Sequence, residues 1–205
     1  RGRLARAPMN HLAHFLVAYG DDGLTAGALL ADRTKGRLDG TFPAPLERGI
    51  ALHRAVDAWT DQHPEVRAAA RAFDPEFRRF GPIMTDVIFD HFLARQWTRF
   101  GPCAIGDFAD NARACVASWG ETIPADTRQA MHRMHRNGTL ARYADADFVV
   151  NVLEHLGTRL RRANPLAESG VQFTRRAHAL ELHFERFMPE LLEFTDTWRA
   201  GQQDV

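Results

Sequence analysis

The chain has 205 residues, 45% apolar and 25% charged, an ordinary balance for a soluble globular protein with one sizeable core. Its 26 basic and 26 acidic residues cancel, so no global field draws it to nucleic acid or to a membrane surface. Two cysteines, Cys103 and Cys115, are too few for a disulfide framework, and no apolar run approaches the ~18 residues of a membrane span, so a reducing, cytoplasmic setting is expected.

Arg1 to Pro8 are basic, precede Met9 and read as an upstream extension or an expression remnant. From Met9 to Tyr19, Leu12, Phe15, Leu16 and Tyr19 recur at helical spacing, with His11 and His14 three residues apart. A second helix runs from Leu24 to Asp32, small-residue-rich and suited to close packing. Asp32 at its C-terminal turn opposes the helix dipole, a conflict that a nearby cation would remove. Gly36 to Pro45 reads as a loop, and a long helix starting near Pro45 carries His53 and Asp57. His63-Pro64 breaks it, and Pro64 suits the first turn of a helix to Phe73. The next helix is expected from Phe77 to Phe100, with Pro82 starting or kinking it. Further helices are predicted over Asp107–Trp119, Pro124–Arg136, Asp147–Leu160, Gln172–Phe187 and Pro189–Trp198. No stretch alternates as a strand would, so residues 9–205 read as a single all-α domain.

Two segments are dense in metal-type ligands. His53 and Asp57 lie four apart and share a helix face with Ile50; Asp86 and Asp90 do the same on the stripe of Leu93 and Trp97. A carboxylate on an apolar stripe is costly to bury unless it is paired, hydrogen-bonded or bound to a metal. Imidazole and carboxylate donors without thiolate clusters suit manganese, iron, zinc or magnesium and argue against a structural zinc site. A buried His53–Asp57 hydrogen bond is the alternative for that pair alone, but His53, Asp57, Asp86, Asp90 and His91 together favour a metal site, with Asp32 a further ligand. His11 and His14 read first as core histidines. Asp61 reads as the cap of the Pro64 helix, His63 as a loop residue, and Asp145 and Asp147 as caps. Arg54, Arg78 and Arg79 are candidates for clamping a phosphate or facing an acidic partner.

Taken in order, these stretches resemble the acyl carrier protein phosphodiesterases, or ACP hydrolyases, a bacterial family distantly allied to the HD-domain phosphohydrolases. The resemblance is carried by Met9-Asn10-His11-Leu12-Ala13-His14, Gly27-Ala28-Leu29-Leu30-Ala31-Asp32, Gly49-Ile50 with His53-Arg54 and Asp57, and Thr60-Asp61 with Pro64. It continues through Arg78-Arg79, Asp86-Val87, Asp90-His91-Phe92-Leu93, and Arg142-Tyr143 with Asp145, Asp147-Phe148 and Asn151-Val152-Leu153. It implies an HD-domain-like helical bundle that hydrolyses the phosphodiester between 4′-phosphopantetheine and a serine of holo-acyl carrier protein. The cofactor it implies is Mn2+, with Mg2+ or Fe2+ as alternatives; the partner is the carrier protein, with no nucleic acid and no membrane. The implied metal positions are Asp32, His53, Asp57, Asp86, Asp90 and His91. Asp32 or Asp86 would act as base, Arg54 would steady the phosphate, and Arg78 and Arg79 would bind substrate. The adjacent pair here is Asp90-His91, the reverse of the His-Asp order that names the HD group. An HD-type hydrolase of a nucleotide or other small phosphodiester, and a non-enzymatic helical module whose buried acids pair with arginines, are the competing readings.

Overall fold

The computed structural model describes residues 11–160 and 163–201, so Met9, Asn10 and the basic stretch before them lie outside it. Among the described residues every regular element is helical, as the periodicity predicts. None of the helices is long and apolar enough to cross a membrane.

The first three helices build one side of the site. They are α1 (His11–Ala18), α2 (Asp22–Ala31) and α3 (Ala44–Thr60). Asp21 starts α2 by accepting the Leu24 N–H at 2.9 Å, a standard side-chain cap. The small residues of α2 then let two backbones meet. A Cβ added at Gly27 would lie 2.3 Å from the Leu46 carbonyl oxygen and 2.6 Å from Gly49 Cα. Gly23 meets Pro45, Gly27 meets Gly49 and Asp32 meets His53, so α2 and α3 run side by side in the same direction. That register fixes where Asp32 sits. Between the two helices, Arg54 donates to the carbonyls of Thr34 and Gly36 at 2.8 Å each and ties down the returning loop.

The middle of the chain departs from the predicted boundaries. The N-cap of α4 (Pro64–Arg71) is His63, whose Nδ1 accepts from Glu65 N, and not Asp61, which ends α3 instead. His63 is also no loop residue. It is buried against Trp59 and Phe187, with Nε2 3.1 Å from Glu190. The single helix expected over 77–100 is in fact α5 (Gly81–Arg95) followed by the short α6 (Trp97–Phe100). Pro82 falls in the first turn of α5, where a missing N–H costs nothing. Gly81 abuts the Ala70 carbonyl so closely that a Cβ would lie 2.1 Å from it.

Then follow α7 (Ile105–Ser118), α8 (Ala125–Arg136), α9 (Thr139–Arg142) and α10 (Ala146–Arg159), the last capped by Asp145, which accepts from Asp147 N as expected. The two terminal helices expected on either side of Pro189 are one helix, α11 (Ser169–Gly201). A proline inside a helix costs ~3 kcal/mol. Here Leu180, Phe184, Phe187, Met188 and Leu191 keep one buried stripe running through it, packed on α3, α4 and α5. Burying each such side chain is worth ~1.5–3 kcal/mol, so the stripe outweighs the proline. The buried apolar side chains of all these helices form one continuous cluster.

Candidate metal centre

Three helices converge on a row of imidazoles and carboxylates. His14 of α1 and His53 of α3 stack face to face, with ring centroids 3.8 Å apart and planes 11° from parallel. Both present Nε2 to one carboxylate: His14 lies 3.3 Å from Asp57 Oδ1 and His53 lies 3.4 Å from Asp57 Oδ2. The row continues outward. His53 Nε2 is 3.8 Å from Asp32 Oδ1, and Asp32 Oδ2 is 3.6 Å from His11 Nε2. Asp32, at the C-terminal end of its helix, thus faces the edges of two imidazoles.

Electrostatics keep the row in a metal-ready state. Burial pushes the Asp57 carboxyl up, but hydrogen bonds from His14 and His53 and their charges outweigh it, leaving Asp57 well below the usual carboxylate range and ionised. Burial lowers His11, against the pull of Asp32, so it stays neutral with a lone pair to offer. Among the described residues, donor atoms of His14, His53 and Asp57 all lie within 4.8 Å of one another. Donors bonded at ~2.1 Å around a tetrahedral ion stand ~3.4 Å apart, and the two imidazole-to-Asp57 separations of 3.3 and 3.4 Å match that spacing. The nitrogen-and-oxygen donor set fits a divalent ion of the manganese, iron or zinc kind.

Asp90 builds the centre from behind. Its two carboxylate oxygens accept the Leu12 and Ala13 N–H groups at 3.1 Å each, so it caps the start of α1 and sets His11 and His14 in place. Burial, helped by the charge of Asp86 and opposed by those two N–H groups, raises its pKa to about 7. Asp86, half-buried, joins Asp90, His14 and Asp57 around a small space of about 30 Å3. On the other side, His11 and Asp32 open into a pocket of about 220 Å3 lined also by Arg33, Arg133 and Tyr143.

The family model for acyl carrier protein phosphodiesterase matches residues 9–191, a span holding every residue of this row. The chain belongs to that family. Proteins named acyl carrier protein phosphodiesterase from Escherichia coli (strain SMS-3-5 / SECEC) and Escherichia coli (strain 55989 / EAEC) are each 35% identical over 185 residues. That is 90% of this chain and 96% of theirs. No solved structure matches the chain.

Against the positions that the family resemblance implied, the geometry brings together Asp32, His53 and Asp57 and sets Asp86 beside them. His91 is directed elsewhere. Its Nδ1 sits 2.7 Å from the Tyr143 carbonyl and its ring packs edge-on against Phe173, because residues adjacent on a helix diverge by ~100°. Arg54 spends its guanidinium on the Thr34 and Gly36 carbonyls. Arg78 and Arg79 are exposed on the turn before α5 and line neither cavity that meets the row. His14, read as a core histidine, is the residue that sequence reasoning undervalued. The signal was its spacing from His11 on an otherwise apolar face.

Proposed function

We propose that this family member is a divalent-metal phosphodiesterase that releases 4′-phosphopantetheine from the serine of holo-acyl carrier protein. The observation that carries the reading is the paired His14 and His53 edges on an ionised Asp57, beside a pocket, in a chain with this family membership. Among the described residues, imidazoles are ion-pair partners of both Asp32 and Asp57, the donor chemistry a metal centre uses.

In this reading His14, His53 and Asp57 hold the ion, and Asp32 and Asp86 complete its surroundings. Manganese is the expected ion. When bound it polarises the phosphodiester and lowers the pKa of its water. Asp32, at the open end of the row, accepts the proton of the attacking water, and His11 beside it orients the carboxylate. Before the ion binds, Asp57 is held ionised by its two imidazole partners. Arg133, on the pocket wall, takes the place of Arg54, Arg78 and Arg79 as the cation for the phosphate oxygens. The P–O bond to serine breaks, the serine oxygen takes a proton, and phosphate stays on the pantetheine.

The test is holo-acyl carrier protein incubated with the purified chain and manganese, read by intact mass. Loss of the phosphopantetheine mass, abolished by chelator and by His53→Ala, is expected. An unchanged carrier mass with metal shown to be bound would overturn the reading.

A further inference from the structure

The pocket beside Asp32 and His11 has a wall that the hydrolytic chemistry leaves unused. Leu29 of α2, Met134 of α8, Leu140 of α9, and Phe148 and Val152 of α10 line it. Its volume of about 220 Å3 is several times the ~30 Å3 share of one liquid water, yet below the ~300 Å3 where pockets begin to swallow a whole drug-sized ligand. It takes a branched apolar fragment, not an entire extended substrate. Among the described residues of its lining Asp32 is the one carboxylate, at the end that touches the row of imidazoles.

We infer that this pocket receives the pantoyl end of the pantetheine arm, the dimethyl-bearing carbons bonded next to the phosphate. The inference rests on the phosphodiesterase reading above. A phosphate held at Asp32 has two substituents to place. The serine belongs to a folded protein and stays outside. The other substituent begins with a methylene and a dimethyl-substituted carbon, too bulky for the 30 Å3 space around Asp86 and too apolar to leave in water. The apolar pocket opening from Asp32 is the volume that fits it. Arg33 forms an ion pair with Asp126 of α8 across the mouth, so the pocket walls are tied together on the polar side. The pantoyl hydroxyl and its amide then face Thr139, which offers a hydrogen-bonding hydroxyl on the same lining.

The variants Val152→Trp and Met134→Trp fill the pocket from half-buried positions, with Val152→Ile as the conservative control. Binding of pantetheine, which lacks the phosphate, and of free 4′-phosphopantetheine is followed by calorimetry on the metal-free chain, alongside KM for holo-carrier with manganese. The wild type should bind both, and each tryptophan variant should weaken both and raise KM by at least about tenfold, the scale set by misfit in an apolar pocket. Thermal melts should stay near wild type and Val152→Ile should keep its affinity. Cleavage of holo-carrier with unchanged KM and unchanged pantetheine binding in both filled variants overturns the pocket assignment and leaves the phosphodiesterase reading standing. Affinity that instead grows with the length of an S-acyl chain on pantetheine assigns the pocket to that chain and overturns the inference. Failure of the wild type to cleave holo-carrier removes both.

Discussion

Replacing Gly27 by alanine tests the helix contact on which the whole site depends. The added methyl would sit 2.3 Å from the Leu46 carbonyl oxygen and 2.6 Å from Gly49 Cα, both backbone atoms that cannot rotate away. Reaching ordinary contact requires α2 and α3 to separate by about 1 Å, since overpacking is relieved only by backbone shifts that cost ~1–3 kcal/mol. Alanine recovers up to ~1 kcal/mol of helix propensity, so the net loss is about 2 kcal/mol at the upper end. For a chain of this size that lowers Tm by roughly 4–8 °C. The same displacement carries Asp32 away from His53, and misplacement by ~1 Å costs ~100-fold in rate. Calorimetric melting, manganese titration and carrier cleavage read all three effects. Gly106, with nothing within 4 Å of an added Cβ, is the control: Gly106→Ala should leave stability equal or slightly higher. Wild-type melting and metal affinity in Gly27→Ala would refute the contact and the placement of Asp32 built on it.

Three further perturbations separate the roles of the remaining residues. In the metal-free chain the Asp90 pKa is raised from 3.8 to about 7, so the native state keeps a proton that the unfolded chain releases, and stability falls as pH rises through that window. The loss is up to about 4 kcal/mol at ~1.4 kcal/mol per unit, and urea unfolding should show it in the wild type but not in Asp90→Asn; equal slopes would refute it. His14→Ala should weaken manganese binding by more than the ~10–100-fold typical of residues behind the ligands, whereas His91→Ala should destabilise the fold and keep the metal. Metal loss in His91→Ala would return that residue to the ligand set. Arg54→Ala should raise hydrogen exchange around residues 34 to 38 and cost less than about tenfold in cleavage, since a group on the developing charge would cost ~100–1,000-fold.

Much of the architecture was legible because helices announce themselves by period. His53 with Asp57 and Asp86 with Asp90 lie four apart on apolar stripes, and the structure holds the Asp57 and Asp90 carboxyls with specific donors. What period cannot show is which stripe faces which. His91 shares α5 with Asp90 but points a quarter-turn or more away, into Phe173 and the Tyr143 carbonyl. The Pro189 break failed for a related reason. Local propensity ends a helix there, while a tertiary stripe from Leu180 to Leu191 carries it through. His63 outranked Asp61 as a cap because the chain had already turned by two residues, bringing the imidazole and not the carboxylate over Glu65 N.

Asp90 and His91 together show why a motif can matter without binding anything directly. One side chain holds the start of α1, and with it His11 and His14. Its neighbour holds the backbone of Tyr143, which lines the pocket on the open side. The two lie next to each other on α5 and point in different directions, so a single turn of that helix fixes both the imidazoles behind Asp57 and the wall in front of Asp32. Burial raises the Tyr143 hydroxyl, and the charges of Asp90 and Asp86 raise it further, so the tyrosine stays protonated beside the acids. A change at Asp90 therefore reaches the row around Asp57, and a change at His91 reaches the pocket wall in front of Asp32. Metal affinity should fall in Asp90 variants and pantetheine binding in His91 variants, so the two neighbours on one turn should separate the two effects.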